Sequence, residues 1–247
     1  MKIAHIFYSL EMGGVETLLV NIANWQVLNG YNVTIILINN LYDKNLIKEL
    51  NEKINIIKLK RSLKSKNPKA IIKLNYYLFV NGYDILHIHS AGIGNIILPI
   101  FKAKRVLHVH STTYITNTKI PKFDKCIAIS NSVKKSLRVE YNINDVEVIY
   151  NGVNFNRIKK KTSLNISNKI INIGRLDISI KNQNGLIKEF AAIINQIDAN
   201  LYIVGDGYDK NILLSLIKQL KLEKRVFLLG QKSQSWIQKH LSEYDLL

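Results

Sequence analysis

Three groups of residues in this sequence have types and spacings suited to chemistry. The first begins with an apolar run, Ile170-Ile171-Asn172-Ile173, that breaks at Gly174 and is followed at once by Arg175. A polar loop from Asp177 to Ile180 leads to Lys181, after which Leu186, Ile187, Phe190 and Ala191 recur at helical spacing. The order is strand, glycine turn, cationic loop, helix. A glycine that admits close backbone approach, with one Arg and one Lys beside a helix start, suits a diphosphate. The same residues also fit an exposed turn carrying two solvated charges. The second group is Gly13-Gly14, between a short apolar run and a helical pattern. It is a weak form of a nucleotide-binding turn, lacking a third Gly and an acidic residue after the next strand, and it equally fits a turn that binds no nucleotide. The third group is two pairs of histidines, His87 with His89 and His108 with His110, each at the end of an apolar run. Residues i and i+2 of a strand share a face, so each pair presents two imidazoles together. No carboxylate or Cys stands beside them at ligand spacing, so a zinc or iron site is not expected. The expectation is that these histidines line a ligand crevice or hydrogen-bond in the core.

These groups need strands and helices to hold them. Lys2 to Ser9, Asn32 to Ile38, Ile54 to Leu59, Asp84 to His89, Arg105 to His110, Lys125 to Ile129 and Val146 to Tyr150 read as strands. A helix with Val15, Leu18, Leu19, Ile22 and Ala23 on one face ends at Gly30, and Ser130 caps another through Val133 and Leu137. A third, with Ile71, Ile72, Tyr76, Tyr77 and Phe79, follows the basic segment Lys58, Lys60, Arg61, Lys64, Lys66, Lys69 and Lys73. Its aromatic stripe is expected to face the core, although basic and aromatic residues together also mark membrane-surface helices. The β/α rhythm restarts at Lys169 after a basic polar linker, with strands at Ala199 to Val204 and Arg225 to Leu229 and helices to about Ile194, over Asn211 to Leu220 and over Trp236 to Leu241. Tyr244 to Leu247 reads as a further strand beginning. The expected organisation is a Rossmann-like unit over 1–155, a linker over 156–168 and a partial second unit over 169–247.

Composition bounds the rest. With 247 residues, 47% hydrophobic and 21% charged, the chain is long enough for two modest globular units. One cysteine, Cys126 in an apolar run, excludes a disulfide framework and reads as a buried strand thiol. The apolar run after Met1 is too short for a signal peptide or a membrane span. The net charge of +17 favours anionic partners, and also follows from a composition rich in Lys, Asn and Ile with charges spread along the chain. No nucleic-acid-binding motif is present, so nucleic acid is not an expected partner.

Gly174-Arg175-Leu176 with Lys181-Asn182-Gln183 resembles the donor-diphosphate motif of family 4 retaining glycosyltransferases, which have the GT-B fold. Leu201 to Gly207, Val226 to Gly230, Gly13-Gly14-Val15-Glu16 and Ile149 to Val153 recur in that family in the same order. The resemblance runs from Met1 to Leu247. It implies an α/β chain with two Rossmann-like parallel-sheet domains facing a cleft, the C-terminal one incomplete. It further implies transfer of a hexosyl unit from a nucleotide-diphosphate sugar to an acceptor hydroxyl with retention. The acceptor would be a saccharide or lipid-linked molecule of bacterial surface polysaccharide or glycolipid synthesis. Carried over residue by residue, Arg175 and Lys181 bind the donor diphosphate, Gly13 and Gly14 admit the donor and acceptor, and His110 is the active-site histidine. The nucleobase would lie near Gly205 and Gly230. Neither metal nor cofactor is implied, and the location is cytoplasmic, with peripheral contact to anionic membrane on its inner face. The family's paired glutamates fall beyond Leu247, so the resemblance also implies a truncated chain. A catalytically inactive nucleotide-sugar-binding remnant and a sugar-nucleotide epimerase of the same fold are the alternative readings.

Overall fold

The computed structural model describes residues 1–112, 122–153, 158–159, 161 and 166–247. Thr113, and residues 156–157, 160 and 162–165 of the expected linker, lie outside the described residues. The chain divides into two compact units, Met1–Gly152 and Val153–Leu247.

The first unit is built on a parallel sheet of seven strands: β1 (Lys2–Phe7), β2 (Asn32–Asn39), β3 (Asn55–Arg61), β4 (Ile85–Ile88), β5 (Lys104–Val109), β6 (Lys125–Ala128) and β7 (Val146–Val148), in the order β3-β2-β1-β4-β5-β6-β7. β2 is buried from Val33 to Asn39 and is largely β-branched, as a central strand covered on both faces requires. Its side chains alternate between two cores. Val33, Ile35 and Leu37 meet Leu19, Val20 and Ala23 of helix α1 (Gly14–Leu28). Ile36 and Ile38 join Ala4, Ile6, Leu86, Ile88 and Leu107 on the other face, with Leu74 and Leu78 of a later helix. The strand order reverses between β1 and β4, the place where open α/β sheets bind ligands.

The remaining helices of this unit are α2 (Lys44–Lys48), α3 (Lys69–Asn81), α4 (Ala91–Gly94) and α5 (Asn131–Tyr141). Ser130 Oγ accepts from Val133 N at 3.2 Å, the cap expected for α5. The expectation for α3 holds for Tyr77 and fails for Ile72, Tyr76 and Phe79. It buries Ala70, Leu74, Asn75 and Leu78, while Ile72, Tyr76, Phe79 and Val80 are exposed. Small and aliphatic side chains at i, i+4 and i+8 already fill most of the inner face, so Tyr76 and Phe79 turn outward while Tyr77 packs against the core. Cys126 is buried on β6, and burial raises its thiol to about 11.

The second unit carries the parallel strands β8 (Lys169–Ile173), β9 (Asn200–Val204) and β10 (Val226–Gly230), in the order β10-β9-β8. Its helices are α6 (Ile178–Lys181), α7 (Gln183–Ile193), α8 (Lys210–Gln219) and α9 (Gln234–His240). The expected loop from Asp177 to Ile180 is therefore partly helical. Ile187, Phe190, Leu201, Ile203, Leu213 and Ile217 are among its core residues. Tyr244 to Leu247 does lie along the sheet: Leu246 bridges Ile170 in parallel, and Asp245 N donates to Lys169 O at 2.8 Å. Asp245 also pairs with Lys161 and accepts from Ser167 N at 2.8 Å, which pins the start of β8.

Candidate active site

The turn after β8 is held from three sides. Gly174 N donates to Val204 O at 2.9 Å, extending the ladder with β9. Gly205 leaves β9 with φ +150°, and a Cβ there would stand 1.9 Å from Gly174 O. A Cβ on Gly207 would stand 2.3 Å from Leu176 O, and Leu176 N donates to Asp206 O at 3.1 Å. The two strand-end loops thus touch backbone to backbone, which only glycine permits at 205 and 207. From the helix side, the fully buried Gln183 donates Nε2 to Arg175 O at 2.7 Å. Asp209 accepts from Ile178 N at 2.8 Å.

Both predicted cations belong to this turn. The stem of Lys181 runs over Gly174, its Cδ 3.7 Å from where a Cβ would sit. Arg175 and Lys181 are both exposed, and neither makes an ion pair among the described residues. The nearby acids are engaged elsewhere, Asp206 with Lys210 at 3.2 Å and Asp177 with the Ser179 hydroxyl at 2.6 Å. An Arg and a Lys with no ion-pair partner among the described residues thus stand at a tight backbone turn, an arrangement chemically suited to an anion.

In the first unit Gly13 is the N-cap of α1, with the extended backbone φ −171° that any residue adopts. A Cβ there would meet only the Glu16 carboxylate, 2.3 Å away at the end of a flexible side chain, so the position does not require glycine. Gly14 has nothing within 4 Å of such a Cβ, so its surroundings are open to a ligand.

His110 lies just beyond β5, and the structure joins it to four more histidines on the face that also carries Phe7. His5 Nδ1 lies 3.1 Å from His89 Nε2, and His89 Nδ1 lies 3.1 Å from His110 Nε2. His87 Nε2 lies 3.3 Å from His108 Nδ1, and His87 stacks on His89 with centroids 4.6 Å apart. At the far end, His5 Nε2 meets Gln26 Oε1 of α1 at 2.7 Å. Burial holds all five imidazoles below their usual value: His5 and His110 at about 4, His108 at about 3, His87 and His89 well below. Neighbouring imidazoles add to this at His87, His89 and His108.

Two groups, His5 with His87 and His89, and His89 with His108 and His110, bring one nitrogen each within 4.8 Å of one another, as metal ligands would be. His89 belongs to both, and both its nitrogens already bond to other rings. A cation at either place has to break a ring-to-ring bond.

Sequence reasoning found four of these five histidines and missed His5 and Gln26. Each left a signal. His5 interrupts the apolar strand Ile3-Ala4-His5-Ile6, and Gln26 continues the inward stripe Leu19, Ala23 at i+7.

Comparison with known proteins fits this geometry. The sequence profile of Glycosyltransferase Family 4 matches residues 12–157, and that of Glycosyl transferases group 1 matches residues 154–247. The chain is 34% identical over 122 residues, 47% of its length and 33% of the relative's, to N-acetylgalactosamine-N,N'-diacetylbacillosaminyl-diphospho-undecaprenol 4-alpha-N-acetylgalactosaminyltransferase of Campylobacter jejuni. It is 33% identical over 99 residues, 40% of its length, to N-acetyl-alpha-D-glucosaminyl L-malate synthase of Bacillus anthracis, covering 26% of that protein. The aligned segments thus span a third or less of these curated relatives. Among solved structures, Anabaena HepE in complex with UDP and glucose is 21% identical with a TM-score of 0.78, covering all of this chain and 73% of that one. Two adjoining profile matches and a fold shared along the whole length place the chain in glycosyltransferase family 4, with the GT-B fold.

Proposed function

We propose that the chain binds a nucleotide-diphosphate sugar and takes part in transferring a hexosyl unit to an acceptor hydroxyl with retention at the anomeric carbon. The observation that carries this reading is the turn at Gly174, where two cations without ion-pair partners among the described residues stand on a backbone locked by Gly205 and Gly207. As the bond from the anomeric carbon to the diphosphate breaks, negative charge develops on the leaving oxygens. Cations already in place stabilise that charge without reorganisation. The acceptor oxygen joins the anomeric carbon, and its proton ends on the departing nucleoside diphosphate. Arg175 and Lys181 take the role a metal has in other transferases, so no metal is needed. In the first unit, the open backbone at Gly14 admits substrate and His110 orients the sugar.

The acceptor we propose is saccharide or lipid-linked, met at an anionic membrane surface. Lys69, Ile72, Lys73, Tyr76, Phe79 and Val80 form one exposed stripe along α3. Exposed Ile100 lies across a hollow of about 260 Å³ from Phe79. Apolar side chains interleaved with lysines suit the headgroup boundary of a bilayer. No described helix is long and apolar enough to cross a membrane.

The test is incubation of the purified chain with UDP-, GDP- and ADP-sugars and polyprenyl-diphosphate-linked acceptors. The expected product is a glycoside of unchanged anomeric configuration, formed equally with EDTA present. Release of epimerised donor in place of a glycoside would contradict the reading.

A further inference from the structure

We propose that Gln183 is a positioning residue for the donor diphosphate, holding the backbone of Arg175 so that the guanidinium works from a fixed root. The inference rests on the reading of Arg175 as a diphosphate-binding residue.

Gln183 stands where the core calls for an apolar side chain. It lies on the buried stripe of α7 with Ile187 and Phe190, at i, i+4 and i+7, and is itself fully buried. A buried amide is ordinarily hydrogen-bonded at both ends, and this one is bonded at one. The Arg175 carbonyl only accepts, so the amide nitrogen must face it, and Nε2 donates to it at 2.7 Å. Oε1 is enclosed with no partner among the described residues. A half-satisfied amide carries a desolvation cost that methionine, of similar length, avoids. Stability therefore does not account for glutamine at this position. What the amide adds is its bond to the turn.

That bond reaches Arg175 in particular. Asp177 N also donates to Arg175 O, at 2.9 Å, but from within the turn itself. Gln183 ties the same carbonyl to an eleven-residue helix packed against Leu201 and Ile203 of β9. Lys181 is held separately, its N donating to Asp177 O at 2.8 Å. An exposed arginine already gives up rotamer freedom when it binds an anion, and a root that also moves adds to that loss. Removing the Gln183 amide should therefore weaken diphosphate binding through Arg175 and spare the contribution of Lys181.

The test is a double-mutant cycle on the full chain, read by calorimetry of UDP, GDP and ADP beside a thermal melt. Gln183→Met should weaken the bound nucleotide about tenfold, the worth of one hydrogen bond, with the melting temperature unchanged or raised. Gln183→Leu is a second variant and should behave alike. In an Arg175→Ala background, Gln183→Met should cost less than about twofold, since no guanidinium remains to be placed. Ile187→Val, on the same stripe of α7, should lower the melting temperature and leave affinity unchanged. Equal weakening in both backgrounds, or full affinity in Gln183→Met and Gln183→Leu where Arg175→Ala loses it, would overturn the proposal and leave the diphosphate reading standing. No nucleotide bound by wild type, or full affinity in Arg175→Ala, would overturn both.

Discussion

Acidification should unfold the first unit before the second, because its sheet is crossed by a buried layer of neutral histidines. His5, His87, His89 and His108 have accessibilities of 0%, 9%, 5% and 4%. Folding depresses each pKa, so between the ordinary imidazole value and the folded one the unfolded chain binds more protons. Stability is then fully present above about pH 6.5 and is lost as pH falls towards the folded values, about 4 for His5 and about 3 for His108. Each ring unprotonated in the fold loses about 1.4 kcal/mol between pH 7.5 and 5.5, so four rings lose about 5 kcal/mol. That is a third or more of the ~5–15 kcal/mol that usually holds a domain together. The second unit carries only His240, on α9, and serves as an internal control. Urea titration read by hydrogen exchange at each pH resolves the two units separately. The expected result is a steep fall in the midpoint for peptides within 1–112 and 122–152, with a shallow one within 166–247. Parallel shifts in both units, or a first-unit midpoint unchanged at pH 5.5, would refute the reasoning.

Four further substitution sets probe the same account. Gly205→Ala and Gly207→Ala should each destabilise the second unit by about 3 kcal/mol or more, because the new Cβ meets a backbone carbonyl in both. Gly230→Ala, at φ +71° with open space around it, should cost only about 1–2 kcal/mol, and thermal melts of the three rank them. Gly14→Ala should leave the melting temperature within error, since nothing lies near its Cβ, so a fall in turnover would report substrate approaching that backbone. Replacing Lys69 and Lys73 with Ser should weaken sedimentation with anionic vesicles by about 2 kcal/mol, or thirtyfold, and leave binding to neutral vesicles unchanged. Equal binding of wild type to both vesicle types would remove the membrane assignment.

Most of the fold was legible because buried parallel strands leave continuous β-branched runs, as Asn32 to Ile38 does. That Gly174, Arg175 and Lys181 belong to one turn was legible because they fall within eight consecutive positions. Contacts made across the sheet were not. His5 and His87 are paired in register 82 residues apart, and only the strand order brings them together. Gln26 looks like an ordinary helix residue until α1 is laid over β1. The orientation of α3 misled for a different reason. Aromatic residues usually mark the buried face of a helix, and here Leu74 and Leu78 had already filled it. The helical turn of α6 was hidden by its length, since four residues give no periodicity to detect.

The central claim is that the turn at Gly174 holds a nucleoside diphosphate through Arg175 and Lys181. Isothermal titration calorimetry of UDP, GDP and ADP against wild type, Arg175→Ala and Lys181→Ala tests it most directly. At least one nucleotide should bind wild type, and each variant should lose about 1.5–3 kcal/mol for that nucleotide, as expected for a charge-assisted contact. Affinity unchanged in both variants for every nucleotide, or no nucleotide bound by wild type, would contradict the account.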